Sequence, residues 1–162
     1  MIIKLAFVLL LLLFIPGCSQ DQGPEQAFRD GDYHRAFELW LPMAEAGNRE
    51  AQNRIGMLYY LGLGVEKDYT RASEWYRQAA KAGHPGAQRD LGLMYESGRL
   101  GRRDFEKAYM WLYAAYQQGN KNSRPALDMI SGQLSPNKVR LLKQEVKQYI
   151  INDIVDPEDD DY

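Results

Sequence analysis

The sequence of 162 residues has very few of the side chains that build metal centres and disulfide frameworks. It contains one cysteine, Cys18, and two histidines, His34 and His84. A single thiol cannot form an internal disulfide, and structural zinc sites need several thiolate or imidazole ligands. Because the two histidines are 50 residues apart, we expect them to be solvated loop residues and predict no cofactor and no metal.

Neither sign of charge is in large excess, and the motifs of common enzymes are missing. The chain has 20 basic and 22 acidic residues, whereas a nucleic-acid-binding surface needs a basic stripe. There is no Gly-x-Ser-x-Gly elbow, no His-Glu-x-x-His helix and no phosphate-binding loop. The sequence therefore predicts a protein that is not an enzyme and does not have nucleic acid as its partner.

One long apolar run stands near the start of the chain, from Leu5 to Phe14. As a helix, its ten residues would span about 15 Å, half of the roughly 30 Å of a bilayer core. This length and the preceding Lys4 are typical of a signal peptide. The segment Ile15-Pro16-Gly17-Cys18 that follows resembles the bacterial lipobox, in which the cysteine receives lipid, although Pro16 departs from the usual pattern.

The lipobox resemblance implies a lipoprotein signal peptide over 1–17, a lipidated Cys18 and a polar tether that ends at residue 26. Two or more acyl chains on Cys18 would anchor the chain stably to a membrane. Ser19 after the cysteine is similar to lipoproteins sorted to the outer membrane, so we expect a periplasm-facing protein of the bacterial cell envelope. The alternative is an ordinary secretory signal or a short anchor with an incidental cysteine.

The rest of the chain repeats with a period of 36 residues. Apolar residues at spacings of three and four, such as Ala72, Trp75, Tyr76 and Ala79, predict an amphipathic helix in each unit. A shorter helix precedes it, over about 51–61 and 87–97, and a mid-helix glycine in each suggests close helix packing. The period predicts a stacked, all-α array of antiparallel helix pairs. The matched positions are Gly47, Gly83 and Gly119 as helix ends; Asp32, Asp68 and Asp104, of which the last two are predicted helix caps; Gly56 and Gly92; and Trp75 and Trp111 as core.

These motifs resemble the Sel-1-like repeat, a short-period relative of the tetratricopeptide repeat. The resemblance is carried by AQNRIGMLYYLG (51–62) with DYTRASEWYRQAAKAG (68–83), and by AQRDLGLMYESG (87–98) with DFEKAYMWLYAAYQQG (104–119). It implies an α/α solenoid over 27–152, with repeats at about 48–83 and 84–119. A half repeat over 27–47, interrupted or kinked at Pro42, and capping helices over 120–152 would close its two ends.

The resemblance implies an adaptor that holds a protein or peptide in a concave groove lined by the first helix of each pair. The predicted groove residues are Asn53, Met57 and Tyr60 in one repeat and Arg89, Leu93 and Glu96 in the next. The alternative for each of them is that it is only a surface residue or packs between repeats.

Two functional hypotheses follow from this family. The first is a lipid-anchored scaffold that helps to assemble or regulate an envelope protein complex, since relatives of this form take part in exopolysaccharide export. The alternative is binding or hydrolysis of peptidoglycan fragments or β-lactams, as in secreted, cysteine-rich relatives. Those relatives depend on a cysteine pair in each repeat, and this chain has no cysteine after Cys18.

Two charged segments have no place in the repeat pattern. Arg99, Arg102 and Arg103 cluster beside a turn, where we expect a solvated basic loop rather than contact with an anionic glycan or lipid headgroup. The segment 153–162 is an acidic tail, with five acids in the six residues from Asp156 to Asp161. We expect a solvated tail there rather than a calcium site.

Overall fold

The computed structural model describes residues 23–152, and within that range it is helical with no strand. The predicted signal peptide, Cys18 and the acidic tail lie outside the described residues. The elements in chain order are α1 (Pro24–Arg29), α2 (Tyr33–Glu45), α3 (Arg49–Leu61), α4 (Tyr69–Lys81), α5 (Pro85–Ser97), α6 (Phe105–Gln117), a 3-10 turn (Lys121–Ser123), α7 (Arg124–Ser131) and α8 (Pro136–Asn152).

The helices pack as consecutive pairs, which confirms the predicted solenoid of antiparallel helices. The most extensive contacts lie within two pairs, α3 with α4 and α5 with α6. Neighbouring pairs join because α2 packs against α3 and α4 against α5, while α7 and α8 both pack on α6. The predicted capping helices therefore close the end of the array.

Each second helix begins at the aspartate that recurs every 36 residues. The side chains of Asp32, Asp68 and Asp104 accept hydrogen bonds from backbone N–H groups three residues later, at 2.9–3.1 Å. These bonds satisfy N–H groups that have no partner inside the helix. After each of these helices a glycine takes a positive φ, 75° at Gly83, as predicted for the residue that ends a helix.

The glutamine of the repeated Ala-Gln pair joins each repeat to the one before it. Gln52 is buried, and its Nε2 donates to the backbone carbonyl of Ala44 at 3.2 Å. Gln88, also buried, donates to the carbonyl of Ala80 at 3.1 Å. Both acceptors are carbonyls in the last turn of the preceding second helix, where each also accepts the N–H of the glycine that follows the helix. The motif therefore binds successive repeats in a fixed register.

Two groups of buried apolar side chains form the core along the array. One contains Trp40 with residues of α1, α2 and α3, and the other contains Trp111 and runs from α4 to α8. Tyr59 packs against both groups. Trp111 is buried as predicted, and Trp40 is buried as well, whereas Trp75, the other tryptophan predicted as core, is only partly buried.

Two expectations for the start of the array are wrong. Helix α1 begins at Pro24, inside the predicted tether, because proline suits the first helical position and Glu25 accepts a hydrogen bond from the Trp40 indole at 3.3 Å. Pro42 does not interrupt α2, which continues to Glu45. Pro42 is exposed in the last turn of α2, whose opposite face is held by the buried Trp40 and Ala44.

The end of the array agrees with its predicted capping role. Helix α8 begins at Pro136, and the N–H of Lys138 donates to the Ser135 hydroxyl at 3.2 Å, so serine is the cap and proline the first helical residue. Leu142 and Val146 of α8 are buried against the core. They cover apolar surface of α6 that would otherwise meet water.

Candidate functional site

A hollow opens between the first helices of two neighbouring repeats, α3 and α5, with α4 as its floor. It has a volume of about 280 Å³. Met57 and Leu93 are half-buried on opposite walls, while Leu61 is 48% exposed at the rim. We call this site the central hollow; its lining residues are Met57, Tyr60, Leu61, Tyr76, Arg89, Asp90 and Leu93.

Four of the six predicted groove residues meet in the central hollow. Met57, Tyr60, Arg89 and Leu93 line it together. Asn53 and Glu96 do not line the hollow, although both are half-buried nearby on α3 and α5.

Three lining residues were missed by the sequence prediction: Leu61, Tyr76 and Asp90. Leu61 lies four residues after Met57, and Asp90 three residues before Leu93, so helical spacing alone could have placed both on the groove face. Tyr76 belongs to the second helix of its repeat, and its ring was expected only in the core.

The polar side of the central hollow is an ion pair between adjacent residues. Arg89 Nη1 lies 2.7 Å from Asp90 Oδ1, and both side chains are about one-third exposed. Burial raises the pKa of the Asp90 carboxyl, and the neighbouring Arg89 guanidinium only partly opposes this effect. Burial likewise raises the pKa of the Tyr76 hydroxyl, with the Asp90 charge acting in the same direction. The hollow thus combines an apolar wall with a partly desolvated carboxylate.

An aromatic cluster fixes the Tyr60 wall of the hollow. The Tyr60 ring centroid lies 5.3 Å from that of Tyr69 and 6.5 Å from that of Tyr76. The Arg99 guanidinium carbon sits 5.3 Å from the Tyr60 ring centroid and 5.5 Å from that of Tyr69. Arg99 is exposed, as expected of a solvated basic loop, but its guanidinium also packs over two aromatic rings, which the sequence did not predict. Its position limits access to Tyr60 but leaves Leu61 open.

His84 is not the solvated loop histidine that the sequence predicts. Its side chain is only 15% exposed, and it caps α5 by accepting a hydrogen bond from the Ala87 N–H at Nδ1, 3.0 Å away. Its Nε2 lies 2.8 Å from Glu50 Oε2 on α3. A neutral imidazole with its proton on Nε2 satisfies both contacts, so His84 connects the starts of α3 and α5. His34 is exposed, as expected, with Nδ1 3.3 Å from the Gly64 carbonyl oxygen.

The carboxylate that faces His84 is itself stabilised in its charged form. Burial alone would raise the pKa of Glu50, but the hydrogen bond with His84 and the charge of Arg54 outweigh it and lower the pKa below 4.5. Arg54 Nη2 lies 2.9 Å from Glu50 Oε1. This network holds one end of the hollow, where α3 and α5 begin.

Within residues 23–152, no three His, Cys, Asp or Glu side chains lie close enough together to hold a metal ion. The helices of that range are also too short or too polar to cross a bilayer.

Comparison with known proteins places this geometry in a family. A model of the Sel1 repeat matches residues 17–48, 49–84 and 85–120. The range predicted as a half repeat, 27–47, therefore falls inside a full first repeat, because the short α1 supplies its first helix. No curated protein matches the sequence.

Two solved structures share the fold. One is c5321, a protective antigen present in uropathogenic Escherichia coli strains and displaying an SLR fold. Its TM-score is 0.71 and its sequence identity is 26%, and the match covers 77% of this chain and 28% of c5321. The other is a Sel1 repeat protein from Oxalobacter formigenes, with a TM-score of 0.64 and 31% identity over 68% of this chain and 45% of its own. This chain thus spans less than half of either protein.

Proposed function

Because this chain belongs to the Sel1 repeat family, whose members mediate protein–protein interactions, we propose that it is a lipid-anchored scaffold of the bacterial cell envelope. The scaffold binds a protein partner at the central hollow. A stacked helical array offers an extended surface rather than a closed catalytic pocket, so binding is the activity that its shape favours.

The observation that carries the proposal is the apolar surface shared between two repeats. Met57 and Leu61 from α3 and Leu93 from α5 face one space of about 280 Å³. Such a space accommodates an apolar side chain from a helix or an extended peptide. Its volume is small for a drug-like ligand, which favours a side chain of a larger partner.

The charges beside this surface indicate the polar chemistry of the partner. Asp90 is partly buried, and the Arg89 Nε has no hydrogen-bond partner among the described residues. That nitrogen is closed to a partner, whereas the Asp90 side chain is about one-third exposed. A partner residue that donates a hydrogen bond next to its apolar anchor would bind the Asp90 carboxylate. A partner without such a donor would leave a partly desolvated carboxylate without that bond, which is costly, so the carboxylate gives the site specificity as well as affinity.

The anchor and the location are supported by the sequence of the first residues. The apolar run from Leu5 to Phe14 ends just before the chain's one cysteine. Acylation of Cys18 would hold the array at a membrane surface, close to envelope proteins.

Photocrosslinking in cells tests the binding site. A photoreactive residue at Leu61 or at Leu93 should join the chain to the same envelope protein. A photoreactive residue at Leu141, which is 46% exposed on α8 and thus matches the exposure of Leu61, is the control and should not capture it. Leu61→Glu should lower the yield from position 93 at least about tenfold, the effect of losing about 1.4 kcal/mol of binding. Leu141→Glu should leave that yield unchanged.

Equal capture from positions 61, 93 and 141, or no capture from the hollow, would show that the central hollow is not the binding site.

A further inference from the structure

A second cavity lies at the far end of the array, between the start of α6 and one face of α8. Its volume is about 710 Å³. Arg102 and Arg103 line one side of it, and Tyr149 lines the other. Phe105 and Leu134 add apolar surface. We call this cavity the cap cleft.

The two arginines are the accessible cations of the cap cleft. Both are exposed, and neither forms an ion pair or a hydrogen bond with another side chain of residues 23–152. By contrast, Lys138 at the same cleft lies 2.8 Å from Glu106, and Lys107 lies over the Tyr95 ring. Arginine binds carboxylates through two parallel hydrogen bonds, so this pair is suited to an acidic group.

The charges of the whole chain are segregated along its length. Residues 23–98 carry nine basic and eleven acidic side chains, so they are close to neutral. Residues 99–152 carry ten basic and four acidic side chains, a net charge of +6. Residues 153–162 carry six acidic side chains and no basic one, a net charge of −6. The negative charge of the acidic segment therefore balances the positive charge of residues 99–152, which it directly follows.

The length of chain beyond α8 is sufficient to reach the arginines. Tyr149 lines the cap cleft, and α8 ends three residues later at Asn152. At about 3.3 Å per residue, an extended chain would carry Asp156 up to about 13 Å from Asn152 and Asp161 up to about 30 Å. These distances cover a cavity that Tyr149 and the two arginines line together.

We propose that the cap cleft is a binding site for an acidic peptide segment and that residues 156–161 of the same chain occupy it. The carboxylates bind Arg102 and Arg103, and the apolar Ile154 and Val155 before them cover Phe105 and Leu134. Three carboxylates also line the cleft, those of Asp104, Glu106 and Glu145. Asp104 is the cap of α6 and Glu106 is paired with Lys138, while Glu145 repels carboxylates on the α8 side. The acidic residues therefore bind on the arginine side. An acidic segment of a partner protein competes for the same arginines.

Carbodiimide crosslinking of the intact chain, purified in detergent, tests this contact. The reagent joins carboxylates to lysine amines in contact with them, and Lys107 and Lys138 line the cap cleft. Mass spectrometry should find residues 156–161 joined to these two lysines at least tenfold more often than to Lys143 and Lys147, which line a different groove on α8. The yield should fall several-fold in 0.5 M salt, since exposed charges are screened there.

Two sets of variants separate the cleft from a general charge effect. Arg102→Glu with Arg103→Glu should reduce the crosslinks at least fivefold, while Arg140→Glu with Lys147→Glu, an equal charge change on the other groove, should not. Asp159→Asn, Asp160→Asn and Asp161→Asn together change no residue of the solenoid. They should shift the backbone amide resonances of residues 102–107, and unchanged resonances would contradict the proposal.

Three results would overturn the proposal. Crosslinks mainly to Lys143 and Lys147 would place the acidic residues on the other face of α8. Crosslinks between light and heavy chains in an isotopically mixed sample would show that the acidic segment binds a second copy. Binding of anionic phospholipid vesicles through Arg102 and Arg103, undiminished by the acidic segment, would make the cleft a lipid contact.

Discussion

At two equivalent positions of the array, glycine stands inside a helix because the neighbouring helix leaves no room for a side chain. A Cβ at Gly56 would lie 2.8 Å from Tyr76 Cδ1. A Cβ at Gly92 would lie 2.7 Å from Leu112 Cγ and 3.1 Å from the backbone oxygen of Ala108. The recurrence of these glycines predicted a close approach of two helices, and the structure confirms it.

Gly92→Ala should destabilise the fold even though alanine is the better helix former. The added methyl group meets the fully buried Leu112 and backbone atoms that cannot move cheaply. Overpacking costs about 1–3 kcal/mol, and the helical preference of alanine returns up to about 1 kcal/mol. We expect a net loss of about 1–2 kcal/mol, measured as a lower urea midpoint.

Gly132→Ala is the matched control for this prediction. Gly132 follows α7 with φ −69°, is exposed, and the nearest atom to an added Cβ would be 3.4 Å away. Its substitution should be neutral or slightly stabilising. Equal losses for the two variants would mean that the tight packing at Gly92 is not the cause.

At the scale of single elements, each helix begins at a capping residue or a proline next to it in sequence, but the cap of α5 is also held by a residue of another repeat. Its cap, His84, is held by Glu50 on α3, 34 residues earlier. The sequence could not show this, because the two residues are brought together only when α3 and α5 stack. Pro42 is the opposite case, in which a local rule predicted a break and the packing of α2 preserved the helix.

His84→Ala should cost about 1 kcal/mol of unfolding free energy through loss of the α5 cap. Glu50→Gln should cost less, about 0.5 kcal/mol at pH 7, because the Glu50 side chain is 49% exposed. Since the folded-state pKa of Glu50 lies below 4.5, its carboxylate stabilises the fold above that pH. The difference between parent and Glu50→Gln should therefore vanish as the pH falls below 4.5 through the folded-state pKa.

Urea unfolding of the parent and the Glu50→Gln variant at several pH values measures this trend. Glu38→Gln is the control, because Glu38 pairs only within α2, with Arg35 Nη1 at 3.5 Å and His34 Nε2 at 3.6 Å. Its effect should be smaller at every pH. A difference for Glu50→Gln that grows as the pH falls would contradict the proposed role of its charge.

At the scale of the whole molecule, the proposed scaffold combines three parts: an anchor at Cys18, the central hollow and the cap cleft. The hollow lies between the second and third repeats, while the cleft lies at the end of the array that α8 closes. The two sites are formed by different helices, so variants at one should leave the other intact.

Cys18→Ser should abolish incorporation of labelled palmitate and move the chain out of the membrane fraction. Loss of all acyl chains removes the apolar contacts that hold the protein at the bilayer. Ser19→Ala, which keeps the thiol, should remain labelled and membrane-bound. A Cys18→Ser chain that stays in the membrane fraction would show that something other than acyl chains anchors it.

Much of the fold was predictable because the repeat is carried by local rules. The aspartate caps, and the glycines such as Gly83 and Gly119 that follow the second helices, each act within a few residues of one helix. They recur with the 36-residue period, so each helix pair is specified in the same way. The candidate site was predictable only in part. Helical spacing predicted that Met57 and Leu93 face the same side, and both line the central hollow, but it could not show that Arg99 covers Tyr60.

By itself, the sequence determined that this chain forms antiparallel helix pairs and where each pair begins and ends, because those choices depend on neighbours along the chain. Only the tertiary structure decided that α1 completes a first helix pair, that His84 connects two repeats and that Asp90 lines an apolar hollow. Each of these depends on contacts between side chains far apart in sequence. Such contacts follow from how the helices stack, which no local pattern specifies.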